Sequence, residues 1–189
     1  MSMKMGSTGG HQVGVAWDDG AHENVTKIQI SHDLLGVNFI KFEYLDGAEI
    51  VTGEQYLTES DTCLTGDEYG HGKISDKSPI TEEFELEPDE YITEAETYVN
   101  FIGNAIGHVL MFIFKTNKRT SKAYGLDQFP YGRTKMVLGE KNKKIVGFHG
   151  NSGDHILHAI GVYVSPINKT KTFKQGVSKV LHKIKNKLI

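Results

Sequence analysis

Period-two alternation of apolar and polar residues, repeated between residues 25 and 164, is the strongest constraint on what this chain can fold into. Successive side chains of a strand point to opposite faces, so alternation buries one face of a sheet and wets the other. The runs are Val25–Ile30, Asn38–Tyr44, Ile80–Leu86, Glu90–Ala95, Val109–Phe114, Lys144–His149 and Ala159–Val164. Asp46-Gly47 reads as a turn after the second run, and Pro88 stops the third. Short strands at this spacing, punctuated by Gly, Asp and Asn, predict an all-β sandwich, barrel or prism. Helical periodicity is absent before residue 167. The even rhythm suggests repeated Greek-key units, although the runs share little sequence similarity.

The pattern breaks after Pro166. Val177, Val180, Leu181, Ile184 and Leu188 fall on one helical face, with Lys around the rest. A basic amphipathic helix of this kind can make a peripheral contact with an anionic membrane or enter a partner's groove. A disordered tail, or a helix packed back on the body, is the plainer expectation, because isolated helices of ~13 residues are marginal in water. All 24 Asp and Glu precede residue 167, whereas seven of the 21 Lys and Arg follow Pro166. The acidic body argues against nucleic-acid binding. The expected division is an extension over 1–5, one domain over 6–166 and a basic tail over 167–189. Cys63 is the only cysteine, so neither an intramolecular disulfide nor a multi-cysteine zinc site is available. Residues 1–20 contain no apolar run like that of a signal peptide, and no run reaches the ~20 residues of a membrane span. A cytosolic or nucleocytoplasmic location is the expectation.

Three places could carry chemistry. Gly9–Gly20 is rich in glycine, which lets a backbone approach a ligand and present bare N–H groups, but it lacks the phosphate-loop pattern. Trp17 could stack on a sugar ring; a Trp heading a strand more often anchors a core. Asp18-Asp19-Gly20 reads as a turn whose carboxylates cap backbone amides. The second place is the polar stretch Gly150–His158, read as a hairpin tip between two strands. Asp154 there can accept from two vicinal hydroxyls while backbone N–H groups donate to them, and His155 or Ile156 could shape a wall. The third is the histidine set His11, His108, His149, His155 and His158. His155 and His158 would lie on opposite faces of a strand, so no metal site is expected. There is no nucleophile elbow and no base predicted beside Cys63, so no catalytic residue and no enzyme activity are expected.

Together these residues resemble the jacalin-related lectins of plants. The resemblance covers roughly residues 6–166 and rests on Gly9-Gly10, Trp17–Gly20, Glu90–Thr93, Phe114–Lys118, Tyr124-Gly125, Ile145–Gly150 and Ala159–Tyr163 in that order. The wording of Phe114–Thr120 and Gly147–Gly150 looks most like the mustard-family members. The resemblance implies a β-prism I of three four-stranded Greek-key sheets about a pseudo-threefold axis. It implies metal-independent binding of mannose- or glucose-type glycans or glycoproteins without a cofactor, a role in plant defence or stress, and homo-oligomers. The sugar would sit between three loops. The first contributes the Gly14 amide; the second, about Asn104–His108, includes Ile106 and Gly107 and tunes specificity; the third opens at Gly153.

In the family the third loop reads Gly-x-x-x-Asp before a segment like Ala-Ile-Gly, and that Asp is the main sugar acceptor. Here Gly153-Asp154-His155-Ile156-Leu157-His158 precedes Ala159. The loop is one residue longer, and His158 stands at the Asp position. Asp154 matches a position that contacts sugar in mannose-binding members. A hydrogen bond to a charged acceptor is worth ~1.5–3 kcal/mol, whereas millimolar monosaccharide binding amounts to only ~4 kcal/mol. A neutral His158 nitrogen could accept in place of the carboxylate. The expected site is therefore Gly14, Asp154, His155, Ile156, His158, Ile106 and Gly107. The alternative is a jacalin-fold protein-interaction module without sugar binding, such as a binder of β-glucosidase-type enzymes.

Overall fold

All seven alternating runs lie in or overlap strands of the computed structural model, which describes residues 1–9, 14–34, 36–53, 79–102, 106–126, 132–153 and 156–167. Twelve strands occur in these residues: β1 Met3–Gly9, β2 Val15–Asp18, β3 Asn24–His32, β4 Val37–Asp46, β5 Glu49–Thr52, β6 Ile80–Glu85, β7 Ile92–Ile102, β8 Ile106–Thr116, β9 Tyr124–Gly125, β10 Arg133–Leu138, β11 Lys143–Gly153 and β12 Ile156–Pro166. They form three four-stranded sheets, ordered β1-β12-β11-β2, β5-β4-β3-β6 and β10-β7-β8-β9.

Each sheet is the same Greek key. In the second, β3, β4 and β5 follow one another as neighbours and β6 returns beside β3. In the third, β7, β8 and β9 do the same and β10 returns beside β7. The first uses β11, β12, β1 and β2 in that cyclic order, so one Greek key is completed from both ends of the sequence. Its β1 starts at Met3, with Met3 opposite Val164 and Met5 opposite Val162. Residues Met3–Met5 are thus part of the sheet rather than an extension, a correction to the 1–5 boundary. The basic tail beyond residue 167 lies outside the described residues.

The threefold repetition absent from the sequence is present in the strand register. Val25 pairs Tyr44 and Lys27 pairs Glu43, leaving Thr26 as an extra residue. Thr93 in β7 and Val146 in β11 are extra in the same way. A second bulge follows six residues after Val25, Ile92 and Ile145, beyond Ser31, Tyr98 and Asn151, where Asn38, Leu110 and His158 are the extra residues of β4, β8 and β12. Bulges at fixed positions bend each hairpin and turn one side chain off its regular face.

The inner faces meet in one core. Val25, Ile92 and Ile145 mark corresponding positions and are fully buried. One layer on, Ile28 pairs Phe42, Ala95 pairs Phe114, and Phe148 pairs Val162. Every sheet contributes one aromatic ring and one aliphatic residue to that layer, which keeps the filling even around the axis. The strands at the rims bury little: β5 is exposed throughout, β2 buries only Trp17, and β10 buries only Leu138.

Candidate functional site

Three separate segments meet around the imidazole of His158. The bulge in β12 turns this side chain inward, and only 4% of the residue stays exposed. Its Nδ1 lies 3.2 Å from the carbonyl oxygen of Gly107 in β8. A carbonyl only accepts, so Nδ1–H donates. Over the ring lie two glycines. Gly14, just before β2, has φ +83°, and a Cβ there would sit 2.5 Å from Ser152 O and 3.0 Å from His158 Cδ2. A Cβ on Gly153 would sit 2.9 Å from Gly14 Cα and 3.9 Å from His158 Nε2. Only glycine allows backbones this close, and only glycine takes that φ without strain.

The β2 strand fixes Gly14 from its other side. Val15 pairs Ser152 and Trp17 pairs Gly150. The Trp17 ring is buried in the core, and its Nε1–H donates to Ser152 Oγ at 2.9 Å. Trp17 is therefore a core anchor and not a sugar-stacking platform. Asp18 and Asp19 also serve the fold. Asp18 Oδ1 accepts from Gly20 N at 2.9 Å, and its Oδ2 accepts from Lys4 Nζ and the Tyr163 hydroxyl. Burial pushes the Asp18 carboxyl up, but Lys4 and the Gly20 N–H hold it below its ordinary value. Asp19 Oδ2 accepts the Tyr44 hydroxyl at 2.7 Å.

Of the expected site residues, Gly14, Gly107 and His158 come together, and half-buried Ile156 opens β12 opposite Gly153. Asp154 and His155 lie outside the described residues, as do 103–105 of the second loop. Two boundaries change. Gly150–Gly153 are the end of β11 and Ile156–His158 the start of β12 rather than a hairpin tip, because Gly150–Gly153 pair with β12 and Gly150–Ser152 also pair with β2. Ile106–His108 are strand and not loop, with Ile106 opposite Ile102 and His108 opposite Asn100. The sequence pattern marks Gly153 as opening the third loop but carries no sign of its contact with Gly14. It also carries no sign of Val15, which is 62% exposed beside Gly14. A lone apolar residue in a four-residue rim strand gives no periodic signal.

The remaining described histidines are dispersed. His149 Nε2–H donates to Met5 O at 2.7 Å across sheet one, and His108 is buried in β8. His11 lies outside the described residues. Among the described residues no group of three or more His, Cys, Asp or Glu could hold a metal ion. The site is polar without a charged side chain among the described residues that form it. Glycine backbones and one imidazole suit a neutral, hydroxyl-bearing ligand.

Comparison with known proteins agrees with this architecture. The jacalin-like lectin domain family matches residues 5–163. Jacalin-related lectin 36 of Arabidopsis thaliana is 40% identical over 168 residues, covering 88% of this chain and 32% of that protein. Myrosinase-binding protein 1 of the same plant is 38% identical over 167 residues, covering 87% of this chain and 31% of that protein. The chain thus spans about a third of the length of these curated relatives. Among solved structures, an artocarpin–mannotriose complex superposes with a TM-score of 0.67 at 26% identity, covering 87% of this chain and 97% of artocarpin. A mannose-specific lectin from Morus nigra bound to mannose gives 0.66 at 26% identity, covering 87% and 94%. The fold, the three Greek-key sheets and the sequence matches agree: this chain belongs to the jacalin-like lectin family.

Proposed function

We propose that this chain binds mannose- or glucose-type glycans, without a metal and without catalysis, at the end of the prism where Gly14, Gly107, Gly153 and His158 meet. The observation that carries this reading is the contact of two side-chain-free backbones, Gly14 and Gly153, over a buried imidazole. Such a floor carries no side chain to keep a ligand's hydroxyls from neighbouring backbone N–H groups. Asp154 supplies the carboxylate of the site and His155 or Ile156 a wall, as the sequence expects. The mannose complexes of artocarpin and the Morus nigra lectin support the ligand class. A glycan array on the full chain tests it, with Asp154→Ala alongside. Retention of the parent on mannose- or glucose-bearing glycans, lost in the variant, is the expected result; equal retention would remove Asp154 from the site.

A second reading is favoured by the relatives named as myrosinase-binding proteins. In it the prism docks a protein partner, and the β11–β12 end, with His158 in place of a carboxylate, no longer holds sugar. An empty array beside a reproducible protein partner that sugar does not displace would favour it. The basic tail, a role in defence, self-association and a cytosolic location remain parts of the proposal. Liposome flotation with and without residues 167–189 checks the tail as a membrane contact.

A further inference from the structure

A cleft of about 210 Å³ opens on the outer face of sheet two, where β3 starts, β4 ends and β6 runs out. His158 lies where β11 ends and β12 starts, so the cleft is at the opposite end of the prism from it. Leu45, Ile50 and Leu86 supply its apolar surface, and Glu43, Glu85 and Glu87 stand on its walls. Leu45 is buried, but Ile50 is 55% exposed in a strand that is exposed throughout. Lys27, the basic residue among the described lining residues, is held by Glu83 at 2.8 Å. The opening is thus acidic around an apolar floor. Such a surface suits a segment with the complementary pattern, apolar on one face and basic around it.

We propose that the occupant is this chain's own basic tail, with the face of Val177, Val180, Leu181, Ile184 and Leu188 laid over Leu45, Ile50 and Leu86 and its flanking lysines toward Glu43, Glu85 and Glu87. The tail leaves the prism beside the cleft. The last residue of β12, Pro166, is opposite Lys143, and the next residue of β11, Lys144, reaches Asn24 Oδ1 on the cleft wall at 3.4 Å. Residues 167–176 span up to about 33 Å when extended, enough to carry Val177 from there to the cleft. A helix this short is marginal alone and gains a buried face by docking. A short tether also keeps the tail at high local concentration, so a contact too weak between separate chains is populated within one. The cleft is too small for a whole helix and takes anchoring side chains, with the helix across its rim. Exposed ion pairs contribute little and are screened by salt, so the lysines orient the tail while apolar contact holds it. The same apolar face cannot meet a membrane while it is docked. Docking of the tail does not depend on what the Gly14–His158 end binds.

The test uses the full chain carrying Cys63→Ser and Ser178→Cys, so that a nitroxide sits at position 178 beside the apolar face. NMR of the 15N-labelled protein should show the amides of Leu45, Ile50 and Leu86 broadened, and those of Val15 and Ile156 at the far end sharp. Ile184→Glu in the tail should lower that broadening about fivefold, because it sets a carboxylate against the apolar floor. Ile50→Glu, at an exposed position on the cleft, should do the same from the other side. Should either variant fail to fold, the pattern in the spin-labelled parent decides alone. Broadening that is even over the whole prism, or absent, would overturn the proposal. Cleft amides broadened equally by a nitroxide on a second, 15N-free copy would give the cleft to another chain's tail and overturn docking within the chain. A tail that leaves the cleft amides sharp and floats the protein with anionic phosphatidylserine vesicles gives its apolar face to a membrane instead, and overturns it as well.

Discussion

The Trp17 indole N–H reaches Ser152 Oγ across 135 residues, at 2.9 Å in a buried setting. This bond ties the short rim strand β2 to the end of β11, and Gly14 sits one residue before β2. Ser152→Ala removes the acceptor and should cost about 0.5–1.5 kcal/mol. Urea unfolding should show a lower midpoint with an unchanged slope; an unchanged midpoint would mean the bond contributes nothing to the fold.

Gly14→Ala places a Cβ 2.5 Å from Ser152 O in a left-handed backbone. The strain should cost about 1–3 kcal/mol and shift the segment over His158. Glycan affinity should fall by tenfold or more with the three sheets retained, as read by titration calorimetry beside far-ultraviolet circular dichroism. Full affinity in this variant would place the ligand elsewhere on the prism.

The Phe42 and Phe148 rings stack between two sheets, with centroids 3.9 Å apart and planes within 4° of parallel. Phe148 is fully buried and meets Val162 across its own hairpin. Phe148→Ala should cost about 3–5 kcal/mol, the transfer of the ring plus the cavity it leaves. Phe148→Leu should cost less, because it leaves a smaller cavity. A melting point within a degree or two of the parent for the Ala variant would contradict a shared core.

Acid should unfold the chain through particular carboxylates. Burial pushes Glu90 up, but Arg119, the Glu87 N–H and Thr116 together hold it below its ordinary value. Asp46 is likewise raised by burial and, on balance, lowered by His22 and the Glu23 N–H. Glu96 is lowered first by Lys135 and then by the Tyr98 hydroxyl. A carboxyl lowered in the folded state binds protons more readily when unfolded. Its contribution is complete above the unfolded value of about 4 and is lost as pH falls through the folded value. Stability should hold from neutrality to about pH 5 and fall below about pH 4. Glu90→Gln should flatten that acid limb; stability that rises from pH 5 to pH 3 would contradict the role given to these carboxylates.

The strands legible in the sequence are those that bury a face. The runs at Val25–Ile30, Asn38–Tyr44, Val109–Phe114, Lys144–His149 and Ala159–Val164 lie within the inner strands β3, β4, β8, β11 and β12, and Glu90–Ala95 overlaps β7 from Ile92. Of the rim strands, only β6 is visible in the sequence, through Ile80, Phe84 and Leu86. The others are not, because a rim strand need not alternate: β5 is exposed throughout, and β9 has only two residues. At the site, the sequence points to Gly14, Gly107 and His158, but it misplaces the change from strand to loop at both Gly150 and Ile106.

The sequence by itself determined the class of the fold, since two-residue periodicity is a local property that each strand carries whatever it later pairs with. Family wording then named the prism. The tertiary structure alone decided the rest. Joining β1 to β12 is a contact between residues more than 140 positions apart, and no local pattern encodes it. The common bulges at Asn38, Leu110 and His158 appear only once partners are in register, because an extra residue exists only relative to a neighbouring strand. The proton on His158 Nδ1 is set by a carbonyl 51 residues away. What this imidazole presents is thus a property of two sheets packed together, and not of the strand that carries it.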